Sequence, residues 1–206
     1  ASALETAQAE RDFWRNSPVK KDRNFIFRNL GGTSFSKVSR KWGFDEHGVS
    51  YGVALADFDR DGDLDAAVAS MENPYLLYRN DSQEGARALV RLIGGDRNCW
   101  GIGATVKIVT ELGSHWRTLS SSQGYASANA PVLHFGLGKA KVIRKMEVTW
   151  PRGEVQEFEN LAVNRRFLVS QPDATSSPDQ KKGEHFVLFE EPSLQVFPSD
   201  LQHREN

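Results

Sequence analysis

Five aspartates fall within nine residues, at Asp57, Asp59, Asp61, Asp63 and Asp65, and Gly62 completes the pattern D-x-D-x-D-G-x-x-D. Carboxylates at the first, third and fifth positions can turn toward one point, and the glycine lets the backbone reverse sharply. The backbone carbonyl of Asp63 and the side chain of Asp65 would complete an oxygen cage. The side chain of Asp63 is expected to face solvent. The chemistry of this donor set is capture of a hard cation, and calcium suits it best. Magnesium demands a rigid octahedron and holds its water, and zinc favours nitrogen and sulfur ligands that are absent nearby.

The competing reading is a solvated acidic turn. Two carboxylates ~5 Å apart repel by about 3 kcal/mol at an effective dielectric of ~20. Several such pairs oppose a tight loop unless a cation neutralises them. The flanks also argue against a disordered tract, because Tyr51, Val53 and Leu55 alternate before the loop and Ala66-Ala67-Val68-Ala69 follows it. The loop is not an EF-hand: its twelfth position is Val68 rather than glutamate, and both flanks read as strands rather than helices.

The elements that must hold such a loop are β-strands. Residues 1–23 read as a polar arm, either a helix or a loosely ordered terminus, with the latter favoured. From Phe25 the texture turns to strands, with Gly31-Gly32 as a hairpin turn and Asn73-Pro74 as a later one. Phe27-Arg28-Asn29 recurs as Tyr78-Arg79-Asn80, and Gly32, Phe35 and Val38 are echoed by Gly183, Phe186 and Phe189. A period near 50 residues with short strands points to a propeller blade or a similar β array.

Residues 86–170 form a different unit. Strand candidates are 88–93, 104–109, 116–119, 132–135, 143–150, 155–158 and 166–169. Met146, Val148 and Trp150 alternate with polar residues, and Pro151-Arg152-Gly153 makes a tight turn. Short strands at this spacing argue for a sandwich or barrel-like sheet. Residues 171–183 read as a polar linker, and 184–206 as a fresh start belonging to a longer chain.

Composition removes several function classes. Over 206 residues, 26 basic side chains stand against 27 acidic ones, so nothing draws the whole chain to nucleic acid. No apolar run is long enough to span a membrane. Cys99 is the single cysteine, so no intrachain disulfide forms, and an inert role is expected for it. No leader is recognisable before Ala1, so a signal peptide is expected to be absent or removed. A modest calcium site fills outside the cell and stays empty in resting cytosol, which points to a secreted or periplasmic setting.

Residues 27–70 resemble FG-GAP (VCBS-type) repeats, on Phe27-Arg28-Asn29, Gly32-Thr33-Ser34-Phe35, Val38, Gly52, the loop 56–65 and Val68-Ala69. The resemblance implies a β-propeller blade whose Asp loop binds calcium. Asp57, Asp59, Asp61 and Asp65 would supply side-chain oxygens and Asp63 a backbone one. Residues 98–169 resemble the ASPIC/UnbV domain, on Gly101-Ile102-Gly103-Ala104, Ser122-Gln123-Gly124-Tyr125, Leu133-His134-Phe135-Gly136-Leu137-Gly138, Val148-Thr149-Trp150-Pro151-Arg152-Gly153 and Asn160-Leu161. The pairing is similar to the cartilage acidic protein family and its secreted bacterial relatives. A propeller needs several blades to close, and one clear acidic loop is present here.

Other motifs point elsewhere and fall short. His134 alternates with apolar residues, which favours a hydrogen-bonded structural role over a triad with Ser120–Ser122. Gly136-Leu137-Gly138-Lys139 misses both the first glycine and the hydroxyl residue of a phosphate loop. Asn80-Asp81-Ser82 fits an N-glycosylation acceptor. The combined expectation is an all-β chain: a propeller-blade-like repeat over 24–85 and an ASPIC/UnbV β-domain over 86–170. Its function would be a calcium-stabilised extracellular binding, adhesion or scaffolding module for a protein or glycan partner. The alternative is an accessory or catalytic domain of a secreted hydrolase.

Overall fold

A computed structural model describes residues 3–18, 20–71, 74–82, 84–95, 97–172 and 186–189. The favoured loose arm is instead a helix, α1 (Ala3–Asn16). Good helix formers fill it, and Glu5 in the first turn and Arg15 in the last complement its dipole. Ser17 closes it by donating its hydroxyl to the Phe13 carbonyl at 2.8 Å, and Pro18 cannot extend it.

The strands that follow are short and antiparallel. β1 (Asp22–Arg23) pairs with β4 (His47–Gly48). Between them, β2 (Phe27–Gly31) and β3 (Ser34–Lys37) form the expected hairpin at Gly31-Gly32. β5 (Ser50–Ala56), β6 (Asp65–Ser70) and β7 (Leu76–Tyr78) make a three-stranded sheet in chain order, and the acidic loop joins β5 to β6.

β8 (Ala86–Ile93), β9 (Thr105–Thr110), β10 (Gly113–Thr118), β11 (Val132–Gly138), β12 (Val142–Thr149), β13 (Val155–Ala162) and β14 (Arg165–Ser170) correspond to the seven expected strands. β15 (Phe186–Phe189) adds an eighth by pairing with β14. The linker and the rest of the tail, including Gly183, lie outside the described residues. Among the described residues no helix is long and apolar enough to cross a membrane.

The chain divides into two units, one drawn from Ala1–Ala54, Ala66–Tyr78 and Gly124–Ala126, the other from Leu55–Asp65, Arg79–Gln123 and Ser127–Asn206. In the first, Val68 is the one buried large hydrophobic among the described residues, while Phe27, Phe35 and Trp42 stay half exposed or more. The second unit is a sandwich of two four-stranded sheets, ordered β10-β9-β12-β13 and β11-β8-β14-β15. Its core takes alternate residues from both: Ala88, Val90 and Leu92 from β8 meet Val106 and Ile108 of β9, Met146 and Val148 of β12 and Phe167 of β14. Burial of this face is the dominant stabilising term of the unit.

Trp150 is 1% exposed, and its indole N–H donates to Gln156 Oε1 at 2.7 Å, so the ring is buried without an orphaned donor. Gly101 packs beneath it at φ +66°, where an added Cβ would meet Trp150 Cζ3 at 2.9 Å and Leu92 Cβ at 3.0 Å. Gly101→Ala therefore lowers unfolding free energy by about 1–3 kcal/mol. Chemical denaturation of the two proteins checks this, and a loss below the measurement error would contradict the packing.

Pairing in the second sheet sets up the functional face. β11 runs antiparallel to β8, and β14 runs parallel to it. Leu89 is thereby flanked by His134 on one side and Arg166 on the other. These residues alternate with the core-facing ones and so point away from the sandwich interior. Leu89 is only 5% exposed, and the acidic loop is tied to both of its neighbours, through the Gly62 carbonyl to His134 and through Asp57 to Arg166.

Candidate metal centre

The loop is organised by its own aspartates before any partner is considered. Asp59 Oδ1 accepts from the Asp61 N–H at 3.2 Å, and Asp61 Oδ1 accepts from the Asp63 N–H at 2.8 Å. These are successive Asx turns, which tighten the chain two residues at a time. Asp57 Oδ2 accepts from the Gly62 N–H at 3.1 Å. Arg60 at φ 65° and Gly62 at φ 99° supply the left-handed reversals. At Gly62 a side chain would also strike the Arg87 guanidinium.

Asp65 anchors the loop exit. It is 3% exposed; its Oδ2 accepts from the Phe58 N–H and its Oδ1 from the Asn80 N–H, both at 2.8 Å. Asn80, noted above as a glycosylation acceptor, thus ties its backbone to the loop. Carboxylate oxygens of Asp57, Asp59 and Asp61 lie within 4.8 Å of one another. Asp57 Oδ1 is buried with no hydrogen-bond partner, and the same holds for Asp63 Oδ2. An all-oxygen donor set with an unsatisfied buried carboxylate oxygen fits a hard divalent cation.

Asp63 departs from expectation. Its side chain does not face solvent; it is 10% exposed and pairs with Arg87 Nη1 at 3.1 Å. Arg87 also donates to the Asp61 carbonyl. Arg166 donates to Asp57 Oδ2, and the His134 Nε2–H donates to the Gly62 carbonyl at 3.0 Å. The three groups come from the neighbouring strands β8, β14 and β11 of one sheet face. Sequence reasoning missed both arginines. The available signal was the alternation of Arg87, Leu89 and Arg91 against the core positions of β8.

The electrostatics of the loop remain unbalanced. Among the described residues Asp59, Asp61 and Asp65 form no ion pair, whereas Asp57 and Asp63 each have an arginine. Burial pushes the Asp57 carboxyl above the usual carboxylate range; Arg166 opposes the shift and Asp61 adds to it. Burial pushes Asp63 the same way, again against its arginine. An acid raised in the folded state loses stability as pH rises through that value, so the ionised loop carries a cost at neutral pH that a bound cation would offset.

The groups imagined for hydrolysis are engaged differently. Burial holds the His134 imidazole below its ordinary range; its bond to the Gly62 carbonyl opposes the shift and the nearby Arg117 adds to it, and the ring nitrogen that would serve a triad is taken up by that carbonyl. The Ser120 hydroxyl donates to the Ser122 carbonyl at 2.9 Å. Among the described residues no serine hydroxyl bonds this histidine. Trp150 is core, Tyr125 is 79% exposed, and Cys99 is exposed.

Comparison with known families places both parts of the chain. Residues 13–68 match the FG-GAP-like repeat family, and residues 94–176 match the family described as ASPIC and UnbV. The chain therefore carries an FG-GAP-like repeat followed by an ASPIC/UnbV domain, and its described residues are all-β apart from one helix. Among individual proteins it is similar to Cartilage acidic protein 1. Identity is 30% over 147 residues with the Homo sapiens protein and 29% over 147 with that of Mus musculus, each covering 69% of this chain and 22% of the relative. The Xenopus tropicalis protein is 34% identical over 113 residues, covering 52% of this chain and 17% of that protein. The chain thus spans about a fifth of the length of these relatives.

Proposed function

We propose that this chain is a calcium-stabilised extracellular binding module. The observation that carries the reading is Asp57: its side chain is 7% exposed, its Oδ1 has no partner, and Asp59 and Asp61 stand beside it. Asp57, Asp59, Asp61 and Asp65 would hold the ion with side-chain oxygens and Asp63 with its backbone carbonyl. Calcium would neutralise the loop and hold β5 and β6 at a defined separation. On this reading the repeat occupies 24–85 and the ASPIC/UnbV domain 86–170. The extracellular setting is supported by the similarity to Cartilage acidic protein 1 and by the calcium levels a modest site needs. Exposed Phe27, Phe35 and Trp42 support contact with an extracellular protein or with further strands of a parent chain.

Calorimetric titration of calcium into chelator-treated protein tests the proposal. The expected result is one site per chain, with a Kd on the order of 10⁻⁴–10⁻³ M and weaker magnesium binding. Asp59→Ala should abolish it. Binding that survives this change, or magnesium binding of equal strength, would refute the assignment.

A further inference from the structure

A cavity of about 850 Å³ opens beside the loop, within the second unit. Its walls are the loop, the end of β10, the segment around Asn129 and the outer face of β8, β11 and β14. Four arginines belong to its lining, Arg60, Arg91, Arg117 and Arg166, with the Arg91 guanidinium over the Trp100 ring at 5.3 Å and that of Arg117 over the Phe135 ring at 5.9 Å. The one carboxylate in the lining is Asp57, already paired with Arg166. Among the described residues Arg60, Arg91 and Arg117 form no ion pair. Among the lining side chains the arginines therefore outnumber the one carboxylate, a local excess of positive charge that attracts anions. Arginine in particular matches planar or tetrahedral oxyanions through its forked donors.

The remaining lining is suited to a hydroxyl-rich ligand. The Leu55 N–H donates to Asn129 Oδ1 at 2.9 Å, and Asn129 Nδ2 donates to Gln123 Oε1 at 2.6 Å. This relay orients the Gln123 amide and leaves its Nε2 as the terminal donor. Trp116 also belongs to the lining, although its ring lies beside Lys107, whose Nζ is 5.7 Å from the ring centroid. The volume lies within the range of small-molecule sites.

We propose that this cavity binds an acidic saccharide, with Arg91 and Arg117 contacting its carboxylate or sulfate and Gln123 a hydroxyl. The inference gives the binding module a ligand class and rests on that reading. Because Arg91, Arg117 and Gln123 are not calcium ligands, the two stand or fall separately. The test is a titration of the whole chain with a uronic-acid disaccharide, a sulfated disaccharide, the matched neutral disaccharide and inorganic sulfate. Each is run in calcium and again in chelator, with calcium affinity measured on the same preparation.

The expected result is binding of one or both acidic sugars, weakened by salt, with the neutral sugar at least tenfold weaker. Which acidic sugar binds distinguishes carboxylate from sulfate recognition. Arg91→Gln and Arg117→Gln, both at exposed positions, should each weaken binding about tenfold while leaving calcium affinity and the unfolding midpoint unchanged. Equal binding of the neutral sugar, no binding of either acidic sugar, or inorganic sulfate binding as tightly as the sulfated sugar would overturn the proposal. So would unchanged affinity in both variants.

Discussion

Asp65→Ala should raise the exchange rate of the Phe58 and Asn80 amides by about two orders of magnitude and lower stability by about 3 kcal/mol or more. The carboxylate is 3% exposed and accepts both N–H groups at 2.8 Å. A hydrogen bond to a charged group is worth roughly 1.5–3 kcal/mol, and removing the acceptor leaves buried donors unpaired. Alanine removes both acceptors at once. Asp65→Asn keeps one oxygen and should fall between the two. Hydrogen exchange read residue by residue separates this local opening from global unfolding. A change of less than threefold at both amides would show that the carboxylate does not organise the loop exit.

Millimolar calcium should raise the unfolding midpoint of the chelator-treated protein by about 5–10 °C. A ligand at about 100 times its Kd that binds only the folded state adds ~2.7 kcal/mol. A chain of this size converts each kcal/mol into roughly 2–4 °C. The gain has a specific origin here, because among the described residues Asp59 and Asp61 form no ion pair while burial disfavours the ionised Asp57 and Asp63. Asp59→Ala and Asp61→Ala should each erase the calcium-dependent shift. A scan in which calcium and chelator give the same midpoint would leave the loop to its arginines alone.

Those arginines also mark where reading a chain in one dimension stops. Alternation at Met146, Val148 and Trp150 forecasts a buried face, and each is at most 1% exposed, because a strand's period of two is a local property. The turns at Gly31-Gly32 and Pro151-Arg152-Gly153 are local in the same way and fall between paired strands. The helix at 3–16 was not legible from apolar patterning, since Phe13 and Trp14 remain exposed; its composition and charge placement carry it instead.

The acidic loop divides along the same line. The clustering of its carboxylates is written in nine consecutive residues, where Asx turns and one glycine help bring Asp57, Asp59 and Asp61 together. Its surroundings are not local. Arg87, His134 and Arg166 reach the loop from 26, 72 and 109 residues away. They share a face only because β11 pairs antiparallel and β14 parallel with β8, in a register that sets His134 and Arg166 on either side of Leu89. A shift of one residue in either pairing would turn these side chains into the core. The burial of Asp63 follows from the same register, as does the arginine-lined cavity, so donor chemistry is a property of the local chain while its electrostatic setting is decided by strand pairing.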